Sequence, residues 1–307
     1  GTNESKDVYY FAGDAKNNWV KFGKTKESSC TYKGKELFIF INTGYKNVET
    51  QTECETYSLC SSEGMGTVLV EDSSFCGNDN WTLLTEKATW NGITTKDIYW
   101  RIIRTNADES IKLLYAGTSP DTEKAYIGMS AFNTTYNDPM YVGYMYGSSN
   151  ATVIDRSNTN PSTIKTYVDN WYKNNLTAYT KYLSNDAVYC NDRNLGSGQT
   201  YSTTKRFDYA PSERIYTNKQ PTYNCTNMSD AFSVNNTSAK LDYPVGLMSI
   251  DELSYAGGQA FTTLDAPYAW YYTNANGESS YGSVAFWALS PFDCCLLYTS
   301  PSPRDTR

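Results

Sequence analysis

The chain has 307 residues, among them 28 Tyr and 7 Trp, with 19% charged residues, no His, a formal net charge of −7 and an isoelectric point near 4.8. Without an imidazole, Ser-His-Asp and Cys-His catalysis and the usual histidine-containing zinc sites are excluded. An acidic chain with scattered Lys and Arg also excludes a nucleic-acid partner, because phosphate binding relies on clustered basic side chains.

Aromatic area on this scale, set in a polar remainder of Asn, Ser and Thr, has the character of a secreted protein. Cys30, Cys54, Cys60 and Cys76 cluster together, while Cys190 and Cys225 form a separate pair. Their spacings do not supply two C-x2-C pairs, so they read as disulfides of an oxidising compartment and no metal site is expected. No apolar run of about 18 residues occurs, so no membrane span is expected here, and the start at Gly1 reads as a processing boundary.

In chain order, Val8 to Phe11 and Trp19 to Phe22 are aromatic runs joined by a Gly/Asp/Asn turn and are predicted to pair as a hairpin. Residues 24–97 hold the cysteine cluster and short strand-like runs such as ELFIFI and GTVLVE, and are predicted to form an inserted, disulfide-stapled β subdomain. The pairing among its cysteines is left open by spacing. A second hairpin is predicted from Tyr99–Arg104 and Ser110–Tyr115, with Trp100 and Ile102 on one side and Arg101 and Ile103 on the other. Residues 115–162 are mostly irregular, with YVGYMYG at their centre.

NPSTIKTYVDNWYKNN (160–175) is a predicted amphipathic helix. Ile164, Tyr167, Val168, Trp171 and Tyr172 share one face, Lys165, Asp169, Asn170 and Lys173 take the other, and Asn160 is the expected N-cap, with Pro161 at the first helical position. A second helical piece is expected over Thr177–Leu183. Asp186 to Gln220 is loop-like, and Cys190 and Cys225 are placed to tie it. Tyr243–Met248 reads as a strand. SIDELSYAGG follows as a short helix with a Ser249/Glu252 capping box and Gly257 as its C-terminal stop. Ser283–Leu289 reads as a last strand around Phe286 and Trp287. From Cys295 the chain reads CLLYTSPSPRDTR, which looks like translated sequencing adaptor, so residues 295–307 are set aside as a non-native tail.

The series VYYFAGDAKNNWVKFG, YWRIIRTNADESIKLLYAGT, STIKTYVDNWYKNNL, AVYCNDR, YPVGLMSIDELSYAGG and FWALSP resembles a family of secreted or surface-displayed proteins of Gram-positive bacteria. Their domain is similar in layout to the C-type-lectin-like fold of the formylglycine-generating (sulfatase-modifying) enzymes. The resemblance covers residues 8–23 and 98–291. It implies an α+β, C-type-lectin-like main domain (1–23 and 98–293) with antiparallel hairpins, two main helices and long loops, interrupted by the cysteine-rich insertion. It brings no catalytic residues: Cys190, Cys225 and Cys294 do not match the family's copper-binding cysteine pair, and the calcium-binding EPN and WND triplets of sugar-binding lectins are absent.

Among the remaining residues, Asp251 and Glu252 are the paired carboxylates a glycosidase would need, but their place on a capped helix reads as capping. Asp192 and Arg193 read as a local ion pair. Asn137 with Asp138, or Asn191 with Asp192, offer oxygen ligands for calcium without an EF-hand pattern, so no cofactor is expected and calcium carries little weight. Tyr141, Tyr144 and Tyr146, with Tyr268, Trp270 and Tyr271, are the candidate ligand-binding aromatics, because such rings offer area and a hydrogen bond at low entropic cost. Trp100, Trp171 and Trp287 sit in periodic elements and read as core, with Trp171 and Tyr172 expected to meet Trp100 and Trp287. The expectation is a non-catalytic, extracellular or cell-surface module that binds a glycan or protein ligand. A structural or pilus-associated surface protein is the alternative, and a carboxylate-based glycosidase ranks last.

Overall fold

The computed structural model describes residues 7–41, 44–56, 58–62, 65–70, 81–84, 87–120, 126–128, 130–135, 138–148, 152–259, 262–263 and 286–294. They build a mixed α+β structure whose sheet is mainly antiparallel. The chain divides into two compact units, one of Gly1–Gly23, Ile98–Tyr126 and Ser130–Arg307, the other of Lys24–Asp97 and Ile127–Met129.

The smaller unit is made from β1 (Val20–Tyr32) beyond Gly23, β2 (Lys35–Ile41), β3 (Gly44–Asn47), helix α1 (Gln51–Thr56), β4 (Ser58–Ser62), β5 (Met65–Val70), β6 (Trp81–Leu84) and the first half of β7 (Thr89–Thr105). The strands run in the order β6-β4-β5-β2-β1-β7, with β3 also paired to β2. β1 with β2, β2 with β3, β4 with β5 and β4 with β6 are antiparallel, and β2 with β5 is parallel. Cys30, Tyr32, Leu37, Val48, Cys54 and Ala88 form the unit's core. The Cys30–Cys54 disulfide lies inside it, with its Cα atoms 5.7 Å apart. Cys76 and the side chain of Cys60 lie outside the described residues.

In the larger unit the second half of β7 pairs with β8 (Ile111–Tyr115) as predicted, Trp100 opposite Tyr115 and Thr105 opposite Ile111. A bulge between Ile102 and Arg104 breaks the alternation expected of this strand. As a result Arg101, Ile103 and Arg104 are all buried. The predicted N-terminal hairpin does not form. Tyr9 and Phe11 bond instead to β7, through Thr105 N–H to Tyr9 O at 2.8 Å and Phe11 N–H to Ile103 O at 3.1 Å. The Trp19–Phe22 run enters β1, where Phe22 O accepts the Trp100 indole N–H at 2.6 Å.

The rest of this unit uses two-residue strands: β9 (Met145–Tyr146), β10 (Asn160–Pro161), β11 (Tyr189–Cys190), β12 (Phe207–Asp208), β13 (Ala231–Phe232), β14 (Gly258–Gln259), β15 (Thr262–Thr263) and β16 (Asp293–Cys294). Between them lie α2 (Thr163–Asn175), a 3-10 turn over Thr177–Tyr182, α3 (Ala210–Ser212) and α4 (Ile250–Tyr255). Tyr243–Met248 is irregular rather than a strand, as are residues 286–289.

Helix α2 starts two residues later than the sequence suggests. Its N-cap is Ser162, whose Oγ accepts the Lys165 amide at 3.1 Å, because Asn160 and Pro161 pair with β9. Its buried side also differs. Ile164, Val168 and Tyr172 are inside as predicted, but Lys165 and Asp169 join them as an i,i+4 ion pair at 2.6 Å, with Asp242 2.9 Å from the same ammonium. Burial alone would oppose the Lys165 charge, but its two carboxylates hold its pKa above the ordinary value. Tyr172 and Leu176 pack with Ile98 and Trp100. Trp171 stands edge-on to Trp100 at 6.2 Å and to Tyr115 at 5.2 Å. Trp287 is not part of this contact: it faces Phe132 at 5.7 Å and donates its indole N–H to Ser130 O at 2.8 Å. Each buried ring of this cluster contributes on the order of 1.5 to 3 kcal/mol.

Helix α4 carries the predicted capping box, Ser249 Oγ accepting from Glu252 N–H and the Glu252 carboxylate from Ser249 N–H, and Gly257 terminates it at φ +84°. Cys190 and Cys225 are bonded with Cα atoms 5.7 Å apart across 35 residues, a closure worth about 3 to 4 kcal/mol by chain entropy.

Candidate functional site

Beside the Lys165–Asp169 pair, three clusters of buried ion pairs stand out among the described residues of the larger unit. In the first, Glu252 accepts Lys112 Nζ at 2.6 Å and Arg104 Nε at 3.1 Å on one oxygen. Burial pushes this carboxyl up, and the two cations outweigh burial and hold it below the usual range. In the second, Arg214 clamps both Asp251 oxygens at 2.7 Å each and reaches Asp192 at 3.0 Å. The predicted Asp192–Arg193 pair is therefore corrected: each residue pairs elsewhere. Asp251 and Glu252, the carboxylates weighed for glycoside hydrolysis, are each held by a cation in this way.

The third knot belongs to Arg193, whose side chain is 1% exposed. Its Nε donates to Asp230 Oδ1 at 2.7 Å, its Nη2 to Asn158 Oδ1 at 2.9 Å and to Ser229 O at 3.0 Å, and its Nη1 to Met145 O at 2.8 Å. Arg156 Nε meets the second Asp230 oxygen at 2.9 Å. An arginine so deeply buried is tolerable when its donors are matched in this way.

Met145 O belongs to the tyrosine-rich segment singled out in the sequence. Asp138 caps the turn Pro139–Tyr141 by accepting the Met140 amide at 3.0 Å. Gly143 follows because a side chain has no room there: a Cβ would lie 2.5 Å from Met145 O and 2.8 Å from Arg193 Nη1. Tyr144 then turns inward. Its amide donates to Asn191 Oδ1 at 2.7 Å, and its carbonyl accepts the Ser162 amide and hydroxyl at 3.1 and 2.8 Å. The Tyr144 ring is fully buried against Phe232, centroids 6.0 Å apart. Burial drives its phenol pKa well above the ordinary value. Tyr144 is therefore a core residue, out of reach of an external ligand, because the backbone here is bonded to interior groups on both sides.

Tyr141 and Tyr146 have the opposite fate. Both are half-buried, and their rings meet at 4.9 Å with a 58° tilt, forming an aromatic corner on the β9–β10 pair. The next turn is fixed by Asp155, which accepts the Ser148 and Ser157 amides at 2.8 Å each. These bonds lower its pKa to about 2. Tyr268, Trp270 and Tyr271 lie outside the described residues.

The oxygens considered for calcium at Asn191 and Asp192 are engaged within the protein, the first by Tyr144 and the second by Arg214 and by Asn194. Among the described residues no group of three or more Asp, Glu or Cys is arranged to hold a metal ion. No helix among them is long and apolar enough to cross a membrane. A recess bordered by Pro211, Ser212, Tyr216, Ile250, Ser290 and Phe292 measures about 10 Å³, the size of a water molecule.

Sequence reasoning missed Asn158 and Asp230 and gave Asn191 and Arg193 other roles, whereas the four together fix the backbone of the corner. Their partners are distant in sequence, and local spacing carries no trace of them.

No family model, no curated protein and no solved structure matches the chain.

Proposed function

We propose that the chain is an extracellular binding module on a C-type-lectin-like scaffold, which takes a glycan or protein ligand at the Tyr141–Tyr146 corner and carries no catalytic chemistry of its own. The observation that carries this reading is the contrast within six residues: Tyr144 is wholly interior, while Tyr141 and Tyr146 are partly exposed on a backbone held by buried side chains. Rigid tyrosines of this kind offer contact area with little entropy to lose. Two disulfides support the extracellular assignment. The scaffold assignment draws on the mixed α+β layout, with α2 packed on the β7–β8 hairpin, and on the residue series that prompted it.

Glycan and protein arrays probed with the wild-type chain and with Tyr141→Ala/Tyr146→Ala test the reading. Selective wild-type signals that the double variant loses, while keeping its fold, support it. Signals that persist unchanged in a folded double variant move the site elsewhere, and a wild-type chain silent on both arrays contradicts the binding assignment. A structural or pilus-associated surface protein is the second reading, favoured by the disulfides and buried ion pairs as devices for durability. Its signature is concentration-dependent assembly without a ligand.

A further inference from the structure

Away from the corner, three tyrosines distant in sequence meet. Tyr10 lies 5.2 Å from Tyr255 with the rings tilted by 31°, and Tyr255 lies 4.4 Å from Tyr223 with a 34° tilt. Tyr10 is held there by its neighbours, since Tyr9 O accepts the Thr105 amide at 2.8 Å and Phe11 N–H donates to Ile103 O at 3.1 Å. Tyr255 ends helix α4 and donates its hydroxyl to Pro221 O at 2.8 Å. Both rings are therefore in position before any reaction between them, the condition under which an intramolecular step outruns an intermolecular one.

The reaction open to two such phenols is oxidative coupling. A one-electron oxidant takes an electron from each phenol, and each releases its hydroxyl proton. The two radicals join through ring carbons ortho to their oxygens, and the hydrogens displaced from those carbons return to the oxygens. One carbon–carbon bond forms and two hydrogens leave, which hydrogen peroxide accepts to become two molecules of water. The joining carbons react through orbitals perpendicular to their rings, so a pair closer to face-on than edge-on is favoured. Tyr141 and Tyr146, tilted by 58°, are poorly placed for this step.

The surroundings choose between the two contacts of Tyr255. Among the described residues the buried Tyr223 hydroxyl has no hydrogen-bond partner, and burial pushes this phenol well above its ordinary pKa. The Arg104 guanidinium lies 4.8 Å from the Tyr223 ring centroid, and a cation beside a ring opposes the loss of an electron from it. Tyr10 instead is 42% exposed, so its electron and its proton can both leave to the outside. We infer that Tyr10 and Tyr255 form an oxidative cross-linking site, at which a peroxidase-type oxidant joins the segment around Tyr10 to α4 through a dityrosine bond. In an oxidising compartment this bond adds to the covalent ties of the disulfides, at a segment otherwise attached to β7 by backbone hydrogen bonds.

The test treats dilute protein with hydrogen peroxide and a peroxidase, folded and in urea, and maps the digested monomer by mass spectrometry. The expected result is dityrosine fluorescence in the folded monomer and a linked peptide pair carrying Tyr10 and Tyr255, two hydrogens lighter than the sum of its parts. Tyr10→Phe keeps the ring, is checked for fold by circular dichroism, and should abolish that pair, whereas Tyr223→Phe should leave it. Urea should abolish it too, because the contact selects the pair and the oxidant does not. Linkage through Tyr223 or within the Tyr141–Tyr146 corner in its place, a Tyr10–Tyr255 pair that forms equally well in urea, or fluorescence confined to intermolecular products overturns the inference. A folded chain that yields no linked pair overturns it as well. None of these readouts involves a ligand, so the proposed function is tested separately.

Discussion

The Arg193 knot and the Tyr141–Tyr146 corner share a backbone and differ in almost everything else. One is charged, buried and bonded at each guanidinium nitrogen; the other is uncharged, partly exposed and set on a backbone held by buried side chains. The difference separates two tasks. Interior polar groups specify where the chain must lie, because a misplaced buried charge is so costly. Surface rings supply contact, and they are useful in proportion to how little they move.

The comparison can be broken first from the inside. Asp230→Ala leaves Arg193 buried without its carboxylate and is expected to cost about 3 to 5 kcal/mol in urea unfolding. A loss below about 1 kcal/mol would mean that the knot does not carry the structure. Replacing both Cys190 and Cys225 by Ser comes next, at about 3 to 4 kcal/mol by the same measurement, with the corner rings still in contact in the folded protein. Ser162→Ala removes both the cap of α2 and a bond to Tyr144 O, and a smaller loss of about 1 to 2 kcal/mol is expected.

The response to pH sharpens the same contrast. With no His, thermal stability should be nearly flat between about pH 5.5 and 8. Below that, the signs divide. Glu252, Asp242 and Asp155 have depressed folded pKa values, so their stabilisation is complete above the ordinary carboxylate range and is lost on acidification through the folded values, for Asp155 down to about pH 2. Asp169 is raised, chiefly by burial, and its protonation works in the opposite direction. Scanning calorimetry from pH 8 to 2 should therefore show a plateau and then a fall. A transition centred near pH 6.5 would contradict this assignment.

What the sequence made legible was local. The Ser249/Glu252 box lies within one helical turn, and the β7–β8 hairpin turns within a few residues, so both could be read from spacing. The α2 cap was misplaced because Asn160–Pro161 is claimed by β9, a partner that spacing cannot reveal. Lys165 and Asp169 look like a solvent face by residue type, and their burial is tolerated because they pair with each other, with the exposed Asp242 adding a second bond to the ammonium. Within YVGYMYG, residue type favoured all three tyrosines equally. Only the bonds from Asn191 and Ser162 turn Tyr144 inward, and those donors and acceptors come from other parts of the chain.

The claim that the interior positions and the corner binds is tested most directly by affinity. Once the arrays identify a ligand, titration calorimetry should show the Tyr141→Ala/Tyr146→Ala variant binding it at least about ten-fold more weakly than the wild type, as expected for the loss of exposed aromatic contacts, while its unfolding midpoint shifts far less than that of Asp230→Ala. Unchanged affinity in a folded double variant would contradict the account.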